Sequence, residues 1–198
     1  MPRIIKVIMK ATSKLLILFI LTTTLFADDW QVDKSADNEV KFLSSTTLLD
    51  FEGTTDNIDG YIYWEGFKFF EKNNELYFEV QLATFNTGIG KRDRDMREDV
   101  LETGKFPVAS FSGSFEEVKR TGNTFNVVVR GEMSLHGHSK EMDITAVIEL
   151  KEGIMNVSSN FSIFLDDFNI EAPNLLAFIK VADEIKISLD FNLVEVKK

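Results

Sequence analysis

The chain has 198 residues, 32 acidic against 22 basic for a formal net charge of -10, and no cysteine. The missing cysteine excludes disulfides, thiol chemistry and a lipid-modified N-terminal cysteine. The acidity argues against nucleic acid, whose phosphates demand a basic surface, and against simple electrostatic docking on anionic membranes. Eighteen phenylalanines are ample for one domain core, and the excess is a first sign of an apolar cavity.

Arg3, Lys6, Lys10 and Lys14 lead into an apolar run from Leu15 to Phe26, and Ala27 is a small residue before Asp28-Asp29. This is the layout of a secretory signal, and the run is too short to span a bilayer comfortably. Residues 1–27 are therefore expected to be an export signal and 28–198 one folded domain. The signal holds four of the basic residues and none of the acidic ones, so the exported domain is more acidic still.

Trp30 to Asp33 and Val40 to Thr47 read as a first strand or pair of strands, broken at Asp37-Asn38. Leu48 to Asp59 reads as a polar, glycine-containing connection into a strand at Gly60-Tyr61-Ile62-Tyr63-Trp64. Phe67, Phe69 and Phe70 follow, up to a turn at Lys72-Asn73-Asn74. From Leu76 to Phe85 apolar residues alternate with polar ones, which predicts a strand.

The period then changes. Arg92 to Glu102 is highly charged, and Met96, Val100 and Leu101 fall on one side at helical spacing, which predicts one short amphipathic helix. Gly104 and Phe106-Pro107 end it. A lone helix among strands is expected to act as a lid or plug over the end of the sheet structure.

Val108 to Val118 and Asn123 to Leu135 are predicted strands joined by a hairpin at Arg120-Thr121-Gly122-Asn123. His136-Gly137-His138-Ser139 turns the chain into an alternating run from Met142 to Leu150, and Glu152-Gly153 turns it again. Asn156 to Leu165 is a strand, Asp166 to Asn174 is irregular around Pro173, and Ile185 to Leu193 is the cleanest alternation in the chain. About eight strands with one polar face suit an antiparallel barrel, because closure removes exposed edges. Such a barrel holds one ligand when its inward side chains do not fill it.

Few motifs offer chemistry. Asn86-Thr87-Gly88-Ile89-Gly90-Lys91-Arg92 lacks the upstream glycine and the following Ser or Thr of a phosphate loop, so it reads as a turn into the helix. Its glycine-rich backbone, with Lys91 and Arg92, is still a place for a ligand's anionic head. Asp93 is read as anchoring the helix to the barrel rim through paired, hydrogen-bonded charges. His136 and His138 would share a face on a strand, but a stable metal site needs another ligand, and a hydrogen-bonded turn histidine is the preferred reading. No metal or cofactor is expected. There is no G-x-S-x-G elbow, and Ser134 falls on a different face from His136. The sequons at Asn156 and Asn160 read as ordinary strand residues.

Several stretches together resemble the YceI-like family of secreted bacterial proteins with a lipocalin-like barrel. They are Thr87 with Arg92-Asp93, Met96-Arg97, the Leu101 to Phe111 stretch containing Lys105-Phe106-Pro107-Val108-Ala109-Ser110-Phe111, and Gly131 to Lys140. Gly53, Gly60, Phe164-Leu165-Asp166-Asp167-Phe168 and the strand after Asp183 extend the likeness over nearly the whole exported domain. His138 stands where the family more often has an aliphatic residue, and Pro173 where many members carry an Arg- and Gly-rich stretch.

The resemblance implies an all-β fold: an eight-stranded antiparallel lipocalin-like barrel with one short amphipathic helix. It also implies an apolar channel for a long-chain isoprenoid or similar amphiphile. The expected function is non-enzymatic carriage of such a lipid in the periplasm. Strand face and helix stripe select Phe78, Val80, Leu82, Met96, Val129, Met133, Phe161, Ile187 and Leu189 as lining, with Lys91 and Arg92 at the head group. Burying each methylene is worth about 0.8 kcal/mol, which gives affinity without separating isoprenoid, quinone and fatty-acyl chains. Two other readings stay open: a metal-handling or hydrolytic protein using His136 and His138, and a packed stress-responsive barrel with no ligand. An exposed sheet edge or helix face could also pair two chains as a homodimer.

Overall fold

The computed structural model describes residues 27–196 apart from 67, 71, 173, 177 and 178. The expected export signal, except Ala27, lies outside the described residues, and so do Phe67 and Pro173.

Strands form where apolar and polar side chains alternate, one set turned inward and the other outward. In chain order they are β1 (Ala27–Val32), β2 (Glu39–Ser45), β3 (Asp50–Thr55), β4 (Ile58–Glu65) and β5 (Lys72–Gln81). A helix α1 (Gly90–Asp95) and a π turn (Met96–Val100) follow. Next come β6 (Val108–Thr121), β7 (Thr124–Leu135), β8 (His138–Lys151) and β9 (Ile154–Phe164), then the short β10 (Asn174–Leu176) and β11 (Ile179–Lys180), and last β12 (Glu184–Glu195).

Eight strands in the order β1-β4-β5-β6-β7-β8-β9-β12 close on themselves through the pairing of β12 with β1. Neighbours around this ring are antiparallel. One side of β12 runs along β9; the other bonds β1 at its C-terminal end and β2 at its N-terminal end, with Ile187 opposite Phe42. The β2–β3 hairpin thus continues the wall beyond β1. A bridge between Thr54 and Asn86 ties β3 to the segment that leads into α1.

Three expectations need correcting. The stretch from Leu48 to Asp59 is not a connection, because it contains β3 and the start of β4. Asp50 to Thr55 is too polar to show alternation, but its backbone pairs with β2 from Asp50 opposite Ser45 to Thr55 opposite Val40. Gly53 is needed for close approach: a Cβ there would lie 2.4 Å from Cε1 of Phe42.

The predicted single helix is α-helical only to Asp95. Leu101 N–H then donates to Met96 O, five residues back, at 2.9 Å. The wider turn lets Leu101 join Met96 and Val100 against the core.

The predicted four-residue turn after β7 is shorter. Only His136 and Gly137 form it, with φ of +52° and +75°, the signature of a tight I′ hairpin, and His138 already belongs to β8.

The ends of the barrel are built differently. Where β4 meets β5, Trp64, Phe69 and Phe70 gather with Phe115 and Phe125 into an aromatic plug. Phe70 stacks on Phe115 at 4.2 Å between ring centres. Its own backbone is left-handed, with φ of +60°, and Asn74 holds the turn by donating to Phe70 O and accepting from Phe115 N–H at 2.9 and 2.7 Å. At the other end, α1 and the π turn cover the barrel mouth and supply Met96, Val100 and Leu101 to the core.

Candidate binding cavity

The barrel does not fill its interior. Between the aromatic plug and the helix lies a cavity of about 800 Å³, a size at which small-molecule sites are typically found. Its wall is the inward row of almost every strand, and four charged residues line it: Lys91, Arg92, Asp95 and Asp99, all from the helical segment. An apolar tube with one charged rim is the result.

The nine positions chosen by strand face and helix stripe all line this cavity: Phe78 and Val80 on β5 with Leu82 just after it, Met96 on the π turn, Val129 and Met133 on β7, Phe161 on β9, Ile187 and Leu189 on β12. Leu82 and Val129 are fully buried, whereas the other seven are only half-buried. An inward side chain of a closed barrel that keeps exposed surface is facing a void, so this half-burial separates an open barrel from a packed one.

The selection by strand face missed six aromatic contributors: Phe42, Phe51, Phe85, Phe111, Phe115 and Phe191. Phe51 fell in the stretch read as a connection, and only the β2–β3 pairing turns its ring toward the mouth. Phe42 meets Phe51 edge-on at 6.2 Å and Phe85 at 5.3 Å.

The rim is held by a hydrogen-bond chain that runs through Thr87. Its N–H and hydroxyl both donate to Asp93 Oδ1, at 2.9 and 2.5 Å. Arg92 donates from Nε to Thr87 Oγ1 at 2.9 Å and from Nη2 to Thr87 O at 2.7 Å. The guanidinium also lies 4.7 Å from the centre of the Phe51 ring. Asp93 is buried, and the Thr87 hydroxyl, with smaller help from its N–H, Arg97 and Arg92, holds the carboxyl below the usual carboxylate range against the opposing effect of burial. Arg97 reaches back to Phe85 O at 2.9 Å. Lys91 pairs with Asp95 one turn on. The head-group residues of the sequence reading, Lys91 and Arg92, therefore both border the cavity, and both already have partners.

The histidines serve another purpose. His136 sits in the β7–β8 turn, 3.2 Å from Glu102 Oε2 and 4.5 Å from the Phe106 ring centre, and fastens the 101–107 loop to the barrel. His138 is exposed on β8. The rings do not share a strand face, because one lies in the turn. Among the described residues no group of three or more His, Asp or Glu is placed to hold a metal ion.

A closed eight-stranded antiparallel barrel, plugged at one end, lidded by a helix at the other and hollow between, defines a lipocalin-like binding barrel. The YceI-like domain profile matches residues 30–193, and the chain belongs to that family. Similar solved structures include a polyisoprenoid-binding domain from Saccharophagus degradans, with 21% identity and a TM-score of 0.69 over 84% of this chain and 98% of that one. BcnA of Burkholderia cenocepacia has 18% identity and a TM-score of 0.66, covering 81% and 98%. The YceI protein of Campylobacter jejuni has 19% identity and a TM-score of 0.55, covering 74% and 85%. At these identities the likeness is one of fold. No curated protein sequence matches this chain.

Proposed function

We propose that this protein is a non-enzymatic carrier that holds a long-chain isoprenoid or similar amphiphile in its barrel. The observation that carries the reading is the cavity of about 800 Å³ into which Phe78, Val80, Met96, Met133, Phe161, Ile187 and Leu189 project only half-buried. A hydrocarbon chain threaded from the mouth would bury them, at about 0.8 kcal/mol for each methylene removed from water. The polar end would stay at the rim beside Lys91 and Arg92. The polyisoprenoid-binding domain of S. degradans, which shares the fold, supports an isoprenoid over other chains; quinone tails and fatty-acyl chains use the same physics. The signal-like N-terminus supports action in the periplasm after export.

Filling the cavity tests this. Val80 lines the wall and is only half-buried, and Val80→Phe should abolish uptake of a fluorescent long-chain isoprenoid while changing unfolding free energy by less than about 1 kcal/mol. Full uptake in that variant, or a loss of stability of about 3 kcal/mol, would mean that the space is not the binding site or is not open.

A further inference from the structure

Among the described side chains, the three most exposed large apolar ones are Leu48, Leu49 and Ile89, at 68, 57 and 54%. All three stand at one end of the barrel. Leu48 and Leu49 form the tip of the β2–β3 hairpin, beyond the last ladder pair of Ser45 with Asp50. That tip lies at the mouth, because Phe51, just inside β3, carries the Arg92 guanidinium of α1 on its ring, and Thr46 bridges Val181 shortly before β12 begins. Ile89 leads into α1 and also lines the cavity, so it belongs to both the outer surface and the interior. At the plugged end the exposed apolar side chains Val118, Ile154 and Val194 are each 45% or less.

The hairpin tip is built for a medium without water. The Thr46 hydroxyl accepts from the N–H groups of Leu48 and Leu49 at 3.2 and 3.1 Å and donates to Leu49 O at 2.9 Å, which the Thr46 N–H also reaches at 2.9 Å. Both leucine amides and the Leu49 carbonyl are thus satisfied inside the turn, while the two side chains are left bare. A turn in water can leave its peptide groups to solvent, but one that enters hydrocarbon has to satisfy them internally. A partner protein that added a strand here would need free backbone donors and acceptors instead. The lid beside the tip is charge-balanced over 91–99, four basic residues against four acidic ones, so its net charge neither draws nor repels an anionic surface.

We infer that the mouth docks on a lipid bilayer, with Leu48 and Leu49 inserted among the acyl chains and Ile89 at the interface beside the cavity opening. The bilayer is held by burial of apolar side chains and not by charge. The inference rests on the carrier reading. A long chain that crossed water to reach the barrel would expose its whole apolar length, and docking the mouth on the membrane removes that crossing.

The test uses the exported protein, sedimentation with phosphatidylcholine vesicles, and uptake of a fluorescent short-chain isoprenoid supplied either in those vesicles or free in solution. Wild type should sediment with the vesicles, and added salt or phosphatidylglycerol should change this little. Leu48→Ser together with Leu49→Ser should weaken vesicle binding about a hundredfold, at about tenfold for each leucine lost. Neither leucine lines the cavity, so this double variant should take up free isoprenoid as wild type does and vesicle-bound isoprenoid more slowly. Leu48→Trp should keep vesicle binding and shift its emission to the blue when vesicles are added, a distinct signal because Trp30 and Trp64 are buried. No vesicle binding by wild type, or equal binding by the double variant, overturns the inference. A wild-type dimer that the double variant breaks, without vesicle binding, would overturn it in favour of a second copy at the tip. Vesicle binding without isoprenoid uptake from either source would remove the carrier reading and leave the docking in place.

Discussion

Asp93 shows how one side chain sets the position of an element. Its carboxylate takes two hydrogen bonds from Thr87, and the same threonine takes two from Arg92. Hydrogen bonds to a charged group are worth about 1.5–3 kcal/mol net, so Asp93→Ala should lower stability by about 2 kcal/mol in denaturant unfolding. The pH dependence follows from the depressed pKa. The stabilisation is complete above the ordinary carboxylate pKa of about 4 and is lost as the pH falls through the lower folded value. An acid titration of wild type against Asp93→Ala should therefore converge at low pH; a constant gap across the titration would count against the carboxylate as the anchor. The sequence marked Asp93 because a short acidic residue stood among arginines at the start of a helix.

At the scale of elements, the lid should be the least stable part of the wall. The α1 segment and π turn are fastened by Asp93, by the Arg97 bond to Phe85 O and by three half-buried apolar side chains, whereas β7 and β8 are paired along their whole length. Native-state hydrogen exchange should show the amides of 90–100 opening at lower free energy than those of β7 and β8. Asp93→Ala should speed the former and leave the latter unchanged; equal acceleration everywhere would show that the lid does not move on its own. The opposite end should behave as a fixed floor. Asn74 makes two hydrogen bonds that hold the left-handed Phe70 over Phe115, and Asn74→Ala should cost about 2 kcal/mol, read from the unfolding midpoint. A change within a few tenths of a kcal/mol would show that aromatic packing alone closes that end.

Elements differed in how far they could be read from sequence, for physical reasons. β12 and β7 were plain because each has one apolar and one polar face, and the sheet needs that pattern. β3 was hidden because its stability comes from ladder bonds to β2 and from the space that Gly53 leaves for Phe42, neither of which is a periodicity. The π turn was hidden because a shift from the fourth to the fifth residue in hydrogen bonding leaves no trace in an apolar stripe that short.

For the whole molecule, alternation could say which side chains point inward but not whether they meet. All nine positions selected by strand face and helix stripe line the cavity, yet a packed core would have produced the same pattern. The difference lies in barrel radius and in the end closures: strands sharing one ring, an aromatic floor formed by a connection, and a helical lid over the mouth. A hollow interior also predicts linkage. A ligand that binds only the folded barrel should raise its stability by about 2.7 kcal/mol at a hundredfold excess over the dissociation constant, with a melting temperature that rises with ligand concentration. A packed barrel would melt at one temperature whatever lipid was added.

The first experiment is mass spectrometry of an organic extract from the protein purified after export, with a wash of the denatured protein as control. A long-chain isoprenoid or related amphiphile, recovered in stoichiometric amount, is the expected result. A blank extract, repeated after incubation with isoprenoids, quinones and fatty acids, would contradict a lipid-carrying barrel.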